Sequence, residues 1–174
     1  VSRFKQRMYG ASTMEGNISI TNSTGMSSTG QFKFMAPGRF YIKFSNPSGK
    51  VICSNGKKLW VYDPSTGICG IQELDPRGLS GGIAGMLNGY MAIASQSGSD
   101  YTIKLKGAGR GYSEIYILAD KTFLLKRATF KNESGEGFTV SLNNVRVGVS
   151  MHAGLFDYNV PSSAQMIKDP LNIK

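Results

Sequence analysis

The segment from Gly30 to Tyr62, GQFKFMAPGRFYIKFSNPSGKVICSNGKKLWVY, most constrains the fold of this chain. It contains four short runs of alternating apolar and polar residues, separated by turn-forming residues, and it has no acidic side chain. Successive side chains of a β-strand point to opposite faces of a sheet. The alternation therefore places one apolar set on a single face: Phe32 and Phe34 in one run, and Phe40, Ile42 and Phe44 in the next.

Turn signals join these runs into an antiparallel meander. Pro37-Gly38 and Asn46-Pro47 supply two turns, and Asn55-Gly56 predicts a two-residue type I′ hairpin. The same alternation recurs beyond this segment, so the chain is predicted to be mainly β, with about eleven strands. They fall at residues 16–22, 30–36, 39–45, 50–54, 57–62, 68–74, 101–106, 112–119, 122–131, 136–144 and 145–152.

The run from Lys57 to Tyr62 is apolar on both faces, with Leu59 and Val61 on one side and Trp60 and Tyr62 on the other. A strand of this kind needs cover on both sides. We expect one face to line the interior of the sheet. The other face must lie under a helix or a neighbouring segment.

Two stretches have helical rather than strand periodicity. Residues 1–9 are amphipathic and predict a short helix that packs on the sheet. Residues 78–94 predict a second, apolar helix, which four glycines weaken by up to ~1 kcal/mol each relative to alanine. The apolar residues of this second helix are Leu79, Ile83, Met86, Leu87, Tyr90 and Met91.

The length of the chain and its longest apolar runs limit the classes of protein to consider. A chain of 174 residues with no linker suits one domain over residues 1–174. It has no run of eighteen apolar residues, so no transmembrane helix is expected. Because the chain begins at Val1 without methionine, we expect an export signal to have been removed.

The two cysteines are predicted to be free. Simple hairpins at Asn55-Gly56 and after Asp63 would place Cys53 near Lys58 and Cys69 near Val61, on opposite faces and two strands apart. Bridged cysteines need Cα atoms within about 7 Å of each other. We therefore expect two half-buried thiols rather than a disulfide.

Enzymatic chemistry finds little support in the residues. The single histidine, His152, has no metal-ligand spacing around it, and Ser99 lacks the glycines and the strand-to-helix context of a nucleophile elbow. No cofactor or metal site is predicted. The net charge of +9 is compatible with a nucleic-acid surface, whose cations and aromatic ring would be Lys33, Arg39, Tyr41 and Lys43. A basic exterior is equally consistent with docking to an acidic membrane-protein partner or to anionic lipid head groups. Because the basic residues are scattered without a dense run, a basic β-sheet nucleic-acid-binding protein ranks well below lipid binding.

Two motifs resemble a known family. They are Phe34-Met35-Ala36-Pro37-Gly38-Arg39-Phe40 and, after Asn46-Pro47, the segment Ser54-Asn55-Gly56-Lys57-Lys58-Leu59-Trp60-Val61-Tyr62-Asp63-Pro64. They are similar to the R-P-G-R-F and S-D-G-x-x-L-W-x-Y-D-P patterns of the periplasmic outer-membrane lipoprotein carriers, the LolA-type family. Phe156 ahead of Val160-Pro161 resembles the family's closing motif. The similarity is strong over about residues 30–74 and weak over most of the rest.

The resemblance implies an incomplete antiparallel barrel with a helical lid over a concave hydrophobic face. It also implies a monomeric periplasmic chaperone, not an enzyme, that carries lipoprotein acyl chains from an inner-membrane donor complex to an outer-membrane acceptor. A lipid-sensing or acceptor module of the same fold is the alternative, and a phenylalanine stripe is also what an ordinary β core contains. The residues predicted to line the acyl cavity are Phe32, Phe34, Phe40, Ile42, Phe44, Trp60, Leu79, Ile83, Met86, Leu87 and Met91.

One position departs from the family pattern. The family usually has an arginine directly before the proline of its R-P-G turn, where it acts as a latch on the lid, and this chain has Ala36 there. Arg39 lies three residues further on and, by alternation from Phe40, faces away from the cavity. The sequence therefore predicts a lid that closes without this latch.

Overall fold

The computed structural model describes residues 1–74, 89–107 and 112–170. Within these residues, one α-helix, α1 (Ser2–Gly10), precedes twelve strands, and a short 3-10 helix spans Ala153–Phe156. No helix of this described part is long and apolar enough to cross a membrane. The strands are β1 Thr13–Asn22, β2 Ser27–Met35, β3 Arg39–Asn46, β4 Ser48–Asn55, β5 Lys58–Asp63, β6 Ile68–Glu73, β7 Met91–Ser97, β8 Asp100–Lys106, β9 Glu114–Ala119, β10 Leu125–Lys131, β11 Gly137–Val147 and β12 Gln165–Lys168.

All twelve strands belong to one open sheet. Its order is β12-β6-β5-β4-β3-β2-β1-β11-β10-β9-β8-β7, so β12 and β7 are its edges. Neighbours are antiparallel, except that β12 runs parallel to β6. The prediction of a mainly β, incompletely closed sheet is confirmed. The alternation does not predict β7 or β12. The strand predicted at 145–152 is wrong, because residues 145–147 continue β11 and residues 148–152 form no strand.

The predicted N-terminal helix packs on one face of this sheet. Phe4 and Met8, four residues apart on one side of α1, are buried in the main hydrophobic cluster. We call the sheet face that they cover the inner face. Its buried strand residues are Met14, Ile18, Phe32, Ile103, Leu105, Ile115, Ile117, Ala119, Leu125 and Ala128, and Ile42 of β3 packs against them.

This cluster requires a curved sheet. The seven neighbouring strands from β3 to β8 would span roughly 29 Å if flat, whereas a helix with its side chains is about 10–12 Å wide. Two glycines lie at register shifts where bending is easiest, Gly16 between β1 and β11 and Gly30 between β2 and β3. A Cβ on Gly16 would lie 2.8 Å from the Asn143 carbonyl oxygen, and one on Gly30 would overlap the Lys43 carbonyl. Close backbone approach at both positions excludes a side chain.

Among the described residues, the opposite, outer face is covered only over β3–β6. Here the C-terminal segment, residues 153–164, packs on the second cluster, with Phe156 fully buried and Tyr158 between Tyr41 and Tyr62. Asn55 Nδ2 donates a hydrogen bond to Asp157 Oδ1 at 2.8 Å. The cover that both apolar faces of β5 require is therefore an element of the same chain. The buried members of this cluster are Val51, Cys53, Trp60 and Cys69.

The thiols are free, as predicted, but they are fully buried rather than half-buried, and they share the outer face. Cys53 lies opposite Trp60, and Cys69 lies opposite Tyr62 rather than Val61. The error lies in the turn after β5, where Asp63 pairs with Ile68 and four residues form the loop. A register slip of one residue moves every side chain of a strand to the other face.

The Asn55-Gly56 turn is also wider than predicted. Ser54 pairs with Leu59, which leaves four residues in the turn, and only Gly56 has a positive φ, of +87°. The Asn55 side chain stabilises this turn, because its Oδ1 accepts hydrogen bonds from the backbone N–H groups of Lys57 and Lys58. The turn residues therefore indicate the hairpin but not its length.

Burial controls the chemistry of Cys53. Its Sγ donates to the Phe156 carbonyl at 3.2 Å, and burial, with a smaller effect from Asp157, raises the pKa of this thiol from 9.0 to about 12. The unfolded chain therefore loses this proton first. As the pH rises from about 9 towards 12, the titration of Cys53 lowers the stability of the fold.

We expect Phe156→Ala to lower the free energy of unfolding by about 3–5 kcal/mol, because it empties a fully buried aromatic site. The same change should accelerate labelling of Cys53 by a soluble disulfide reagent at pH 8, which requires exposure of the thiolate. Leu155→Ala is the matched control, since Leu155 is 37% exposed and should cost about 1 kcal/mol or less. Equal labelling rates in the two variants would contradict the placement of this segment over the thiol.

Candidate functional site

The inner face has two unequal halves. Over β8 and β9 its residues are fully buried, as for Leu105 and Ile117. Over β3, β2, β1, β11 and β10 several large apolar side chains are only half-buried. We call this set the inner strip: Phe34, Phe40, Ile42, Ile20, Val140, Leu142, Phe130 and Phe138.

Cross-strand pairing brings these residues together. Phe34 lies opposite Phe40, Ile20 lies opposite Val140, and Phe130 lies opposite Phe138. The rings of Phe130 and Phe138 stack with their centroids 4.9 Å apart. The Tyr112 ring closes this end of the strip, with its centroid 5.4 Å from that of Phe130. The strip therefore consists of two groups, one on β2 and β3 and one on β1, β11 and β10, with the buried Ile18 and Phe32 of the same face between them.

The inner strip can bind an apolar ligand but offers no group for covalent chemistry. The inner-face residues of β1, β2, β3, β8 and β9 include no charged side chain. Within residues 1–74, 89–107 and 112–170, no three His, Cys, Asp or Glu side chains lie close enough together to hold a metal ion. His152 is exposed, at the start of the 3-10 helix. Hydrophobic contact is the interaction that this face provides.

Five of the residues predicted to line a cavity lie on β2 and β3. Phe32 is buried in the main cluster, whereas Phe34, Phe40 and Ile42 are half-buried members of the inner strip. Phe44 is buried and belongs to neither hydrophobic cluster, but its pairing with Gly30 gives it the same face as Phe32 and Ile42. The structure therefore places all five on the inner face.

The assignment of Trp60 to the inner face is wrong. Trp60 lies opposite Cys53, which lies opposite Tyr41, and all three belong to the outer cluster beneath the C-terminal segment. The alternation within β5 is as predicted, but it does not tell which of two apolar faces is the inner one. Leu59 holds the inner-face position, because it pairs through Ser54 with Phe40.

The prediction of a second helix over residues 78–94 is wrong at its C-terminal end. Residues 91–94 belong to the edge strand β7, and Met91 is 78% exposed on the outer face, opposite Lys106. Met91 is therefore not in contact with the inner strip. The other four residues assigned to this helix as cavity lining, Leu79, Ile83, Met86 and Leu87, lie outside the described residues.

Ala36 lies in the turn between β2 and β3. Its N–H donates to the Ser12 carbonyl at 2.8 Å, which ties this turn to the segment after α1. Arg39 Nη1 donates to the Ala36 carbonyl at 3.3 Å, and the register of β3 places Arg39 on the outer face with Tyr41. As the alternation predicts, Arg39 does not reach towards the inner strip.

Sequence reasoning misses more than half of the inner strip. The missed residues alternate along their strands as clearly as the phenylalanines of β2 and β3 do: Ile20, Phe130, Phe138, Val140 and Leu142. What the sequence does not give is the strand order, in which β1 joins β2 to β11. That order brings residues more than a hundred positions apart onto one surface.

The placement of Trp60 gives a direct test, because it is the single tryptophan of the chain. Its ring is buried under the C-terminal segment, on the sheet face opposite the inner strip. We expect its fluorescence maximum and its quenching by acrylamide to stay unchanged when an acyl-chain ligand binds. A ligand-dependent shift, with the fold unchanged by circular dichroism, would contradict this placement.

Comparison with solved structures is consistent with the open sheet. An uncharacterised conserved protein from Thermus thermophilus superposes with a TM-score of 0.63 at 12% identity, covering 96% of this chain and 95% of that one. A LolA superfamily protein from Nitrosomonas europaea superposes with a TM-score of 0.50 at 12% identity, covering 90% and 95%. Identities this low establish the fold alone.

Sequence comparison identifies the family. An outer-membrane lipoprotein carrier protein of Pseudomonas putida strain W619 is 27% identical over 97% of this chain and 86% of its own length. One from Legionella pneumophila strain Lens is 24% identical over 90% of this chain and 83% of its own. The sequence model of the family described as "Outer membrane lipoprotein carrier protein LolA" matches residues 10–159. The chain therefore belongs to the LolA family of outer-membrane lipoprotein carrier proteins.

Proposed function

We propose that this protein is a periplasmic chaperone that binds the acyl chains of lipoproteins on the inner strip. It shuttles them as a monomer from an inner-membrane donor complex to an outer-membrane acceptor. The observation that carries this proposal is the half-buried apolar surface across β3, β2, β1, β11 and β10, in a chain of the lipoprotein carrier family. No covalent step, cofactor or metal takes part.

The size of the hydrophobic effect explains why a half-buried site suits a carrier. Burial of one methylene contributes ~0.8 kcal/mol, so a fully enclosed sixteen-carbon chain would gain on the order of 10 kcal/mol before ordering costs. When a ligand binds to a surface that is already partly buried, less apolar area is removed from water, and the gain in binding free energy is smaller. Binding at the inner strip is therefore weak enough for an acceptor with a higher affinity to remove the cargo.

Four further residues belong to the proposed acyl site. We infer that Leu79, Ile83, Met86 and Leu87, which lie outside the described residues, also contact the acyl chain. Methionine suits this role, because its unbranched thioether side chain repacks easily against different chains. Position 36 carries alanine where the family usually has arginine, so we infer that no arginine latch at this turn takes part.

The defining experiment mixes the purified protein with one lipoprotein in acylated and non-acylated forms. Co-elution is measured by size-exclusion chromatography at about 0.05 M and about 0.5 M salt, which differ strongly in electrostatic screening. A complex that requires the acyl group and persists at high salt supports the proposal. Equal binding of the two forms, or loss of binding at high salt, contradicts it and points to the basic outer face.

We expect Ile42→Glu to abolish binding of the acylated lipoprotein, because it places an ionised carboxylate on the apolar surface that the acyl chain must cover. Lys43→Glu is the matched control. It introduces the same side chain one residue along β3, at an exposed position of the outer face. Co-elution of both variants with acylated cargo at the level of the unmodified protein would show that the inner strip is not the acyl site.

A further inference from the structure

The outer face over β7–β10 differs from the rest of the molecule. The C-terminal segment covers the outer face only over β3–β6, and β7 pairs only with β8 in the described part of the chain. All seven residues of β7 are exposed. The outer-face side chains that define this region, named here the edge patch, are Met91, Ile93, Lys104, Lys106, Tyr116 and Lys131.

Two large apolar side chains stand out from this patch. Met91 is 78% exposed and Ile93 is 71% exposed, and both project from the outer face of the edge strand. Cross-strand pairing sets Met91 directly opposite Lys106 and Ile93 directly opposite Lys104. Each exposed apolar side chain therefore has a lysine beside it on the same face.

The cations of the patch are held close to one another. Lys104 Nζ lies 4.9 Å and Lys131 Nζ 5.7 Å from the centroid of the Tyr116 ring. Glu114 is paired with Lys106 at 3.1 Å and with Lys104 at 3.9 Å, and Asp100, at the start of β8, is paired with Lys126 at 2.7 Å. With Arg127 and Lys131 of β10, five cations therefore stand beside two carboxylates on this face of β8–β10.

The charge pattern distinguishes this patch from an ordinary solvated face. The nearby acidic residues Glu133 and Glu136 lie in the turn after β10, not on the strands. An exposed edge strand is usually protected by a charged side chain or a proline, and β7 has neither. Exposed apolar side chains flanked by lysines are typical of surfaces that attach to a lipid bilayer.

We propose that the edge patch docks the protein reversibly on a bilayer that contains anionic phospholipids. Met91 and Ile93 enter the interfacial layer, while Lys104, Lys106 and Lys131 lie at the level of the head-group phosphates. Two apolar side chains with a small cluster of lysines give weak, salt-sensitive attachment. Because the patch lies on the outer face, attachment leaves the inner strip free.

The test uses the full chain and no lipoprotein, so its result is independent of the acyl-binding proposal. Binding is measured by co-sedimentation with vesicles of phosphatidylcholine alone and of phosphatidylcholine with about a third phosphatidylglycerol. We expect binding to the anionic vesicles, little binding to the neutral ones, and a decrease at high salt.

Two double variants test the parts of the patch. We expect Met91→Ser with Ile93→Ser, and Lys104→Gln with Lys106→Gln, each to weaken binding to anionic vesicles about tenfold or more. The control Lys57→Gln with Lys168→Gln removes the same charge from two exposed lysines beside β5 and on β12, far from the patch. It should bind vesicles nearly as the unmodified chain does. Thermal unfolding by circular dichroism establishes that every variant is folded.

Several results would overturn the proposal. One is the absence of vesicle binding at low salt. Another is an equal loss in the control variant, which would show a response to net charge alone. A third is competition by soluble polyglutamate as effective as that by excess anionic vesicles, with no effect of the Met91 and Ile93 changes. That last result would assign the patch to an acidic polypeptide partner instead.

Discussion

The register of the sheet is the constraint on which the rest of this structure depends. Across β1–β3 and β8–β11, the pairings place the large apolar side chains of the main cluster on the inner face, where α1 packs. The glycines at the register shifts allow the close backbone approach that the curve requires. A slip of one residue anywhere in this series would turn an apolar row outward. Register therefore determines both the core and the surface available to a ligand.

The strands β4–β6 differ from these, because they also carry apolar residues on the outer face, and β5 is apolar on both faces. Their outer residues are covered by the C-terminal segment, in which Phe156 is fully buried and its carbonyl accepts from the Cys53 thiol. This cover is local, and in the described part of the chain nothing else covers the outer face over β7–β10. The described residues thus form an apolar inner face, a covered outer half and an exposed, basic outer half.

The alternation of apolar and polar residues predicts which segments form strands better than it predicts which strands are neighbours in the sheet. Phe32 and Phe34 take the expected face because β2 alternates between apolar and polar residues. Trp60 does not, because β5 is apolar on both faces and its alternation does not tell which face is the inner one. The register of β6 against β5 depends on the length of the turn between them, which has four residues. β7 escapes prediction because the helical spacing that begins at Leu79 extends to Met91. Ile20 and Val140 meet only through strand order, a non-local property that local periodicity does not encode.

The inner strip and the edge patch have complementary physical properties. In the proposed function, the inner strip binds an acyl chain through apolar contact, which electrostatic screening by salt does not weaken. The edge patch combines a few apolar side chains with clustered lysines, and such attachment forms and breaks readily at moderate ionic strength. A carrier that works between two membranes has to hold its cargo in water and to meet each bilayer only briefly. Because these two proposed binding surfaces lie on opposite faces of one sheet, substitutions can change the affinity for cargo without changing the affinity for a bilayer.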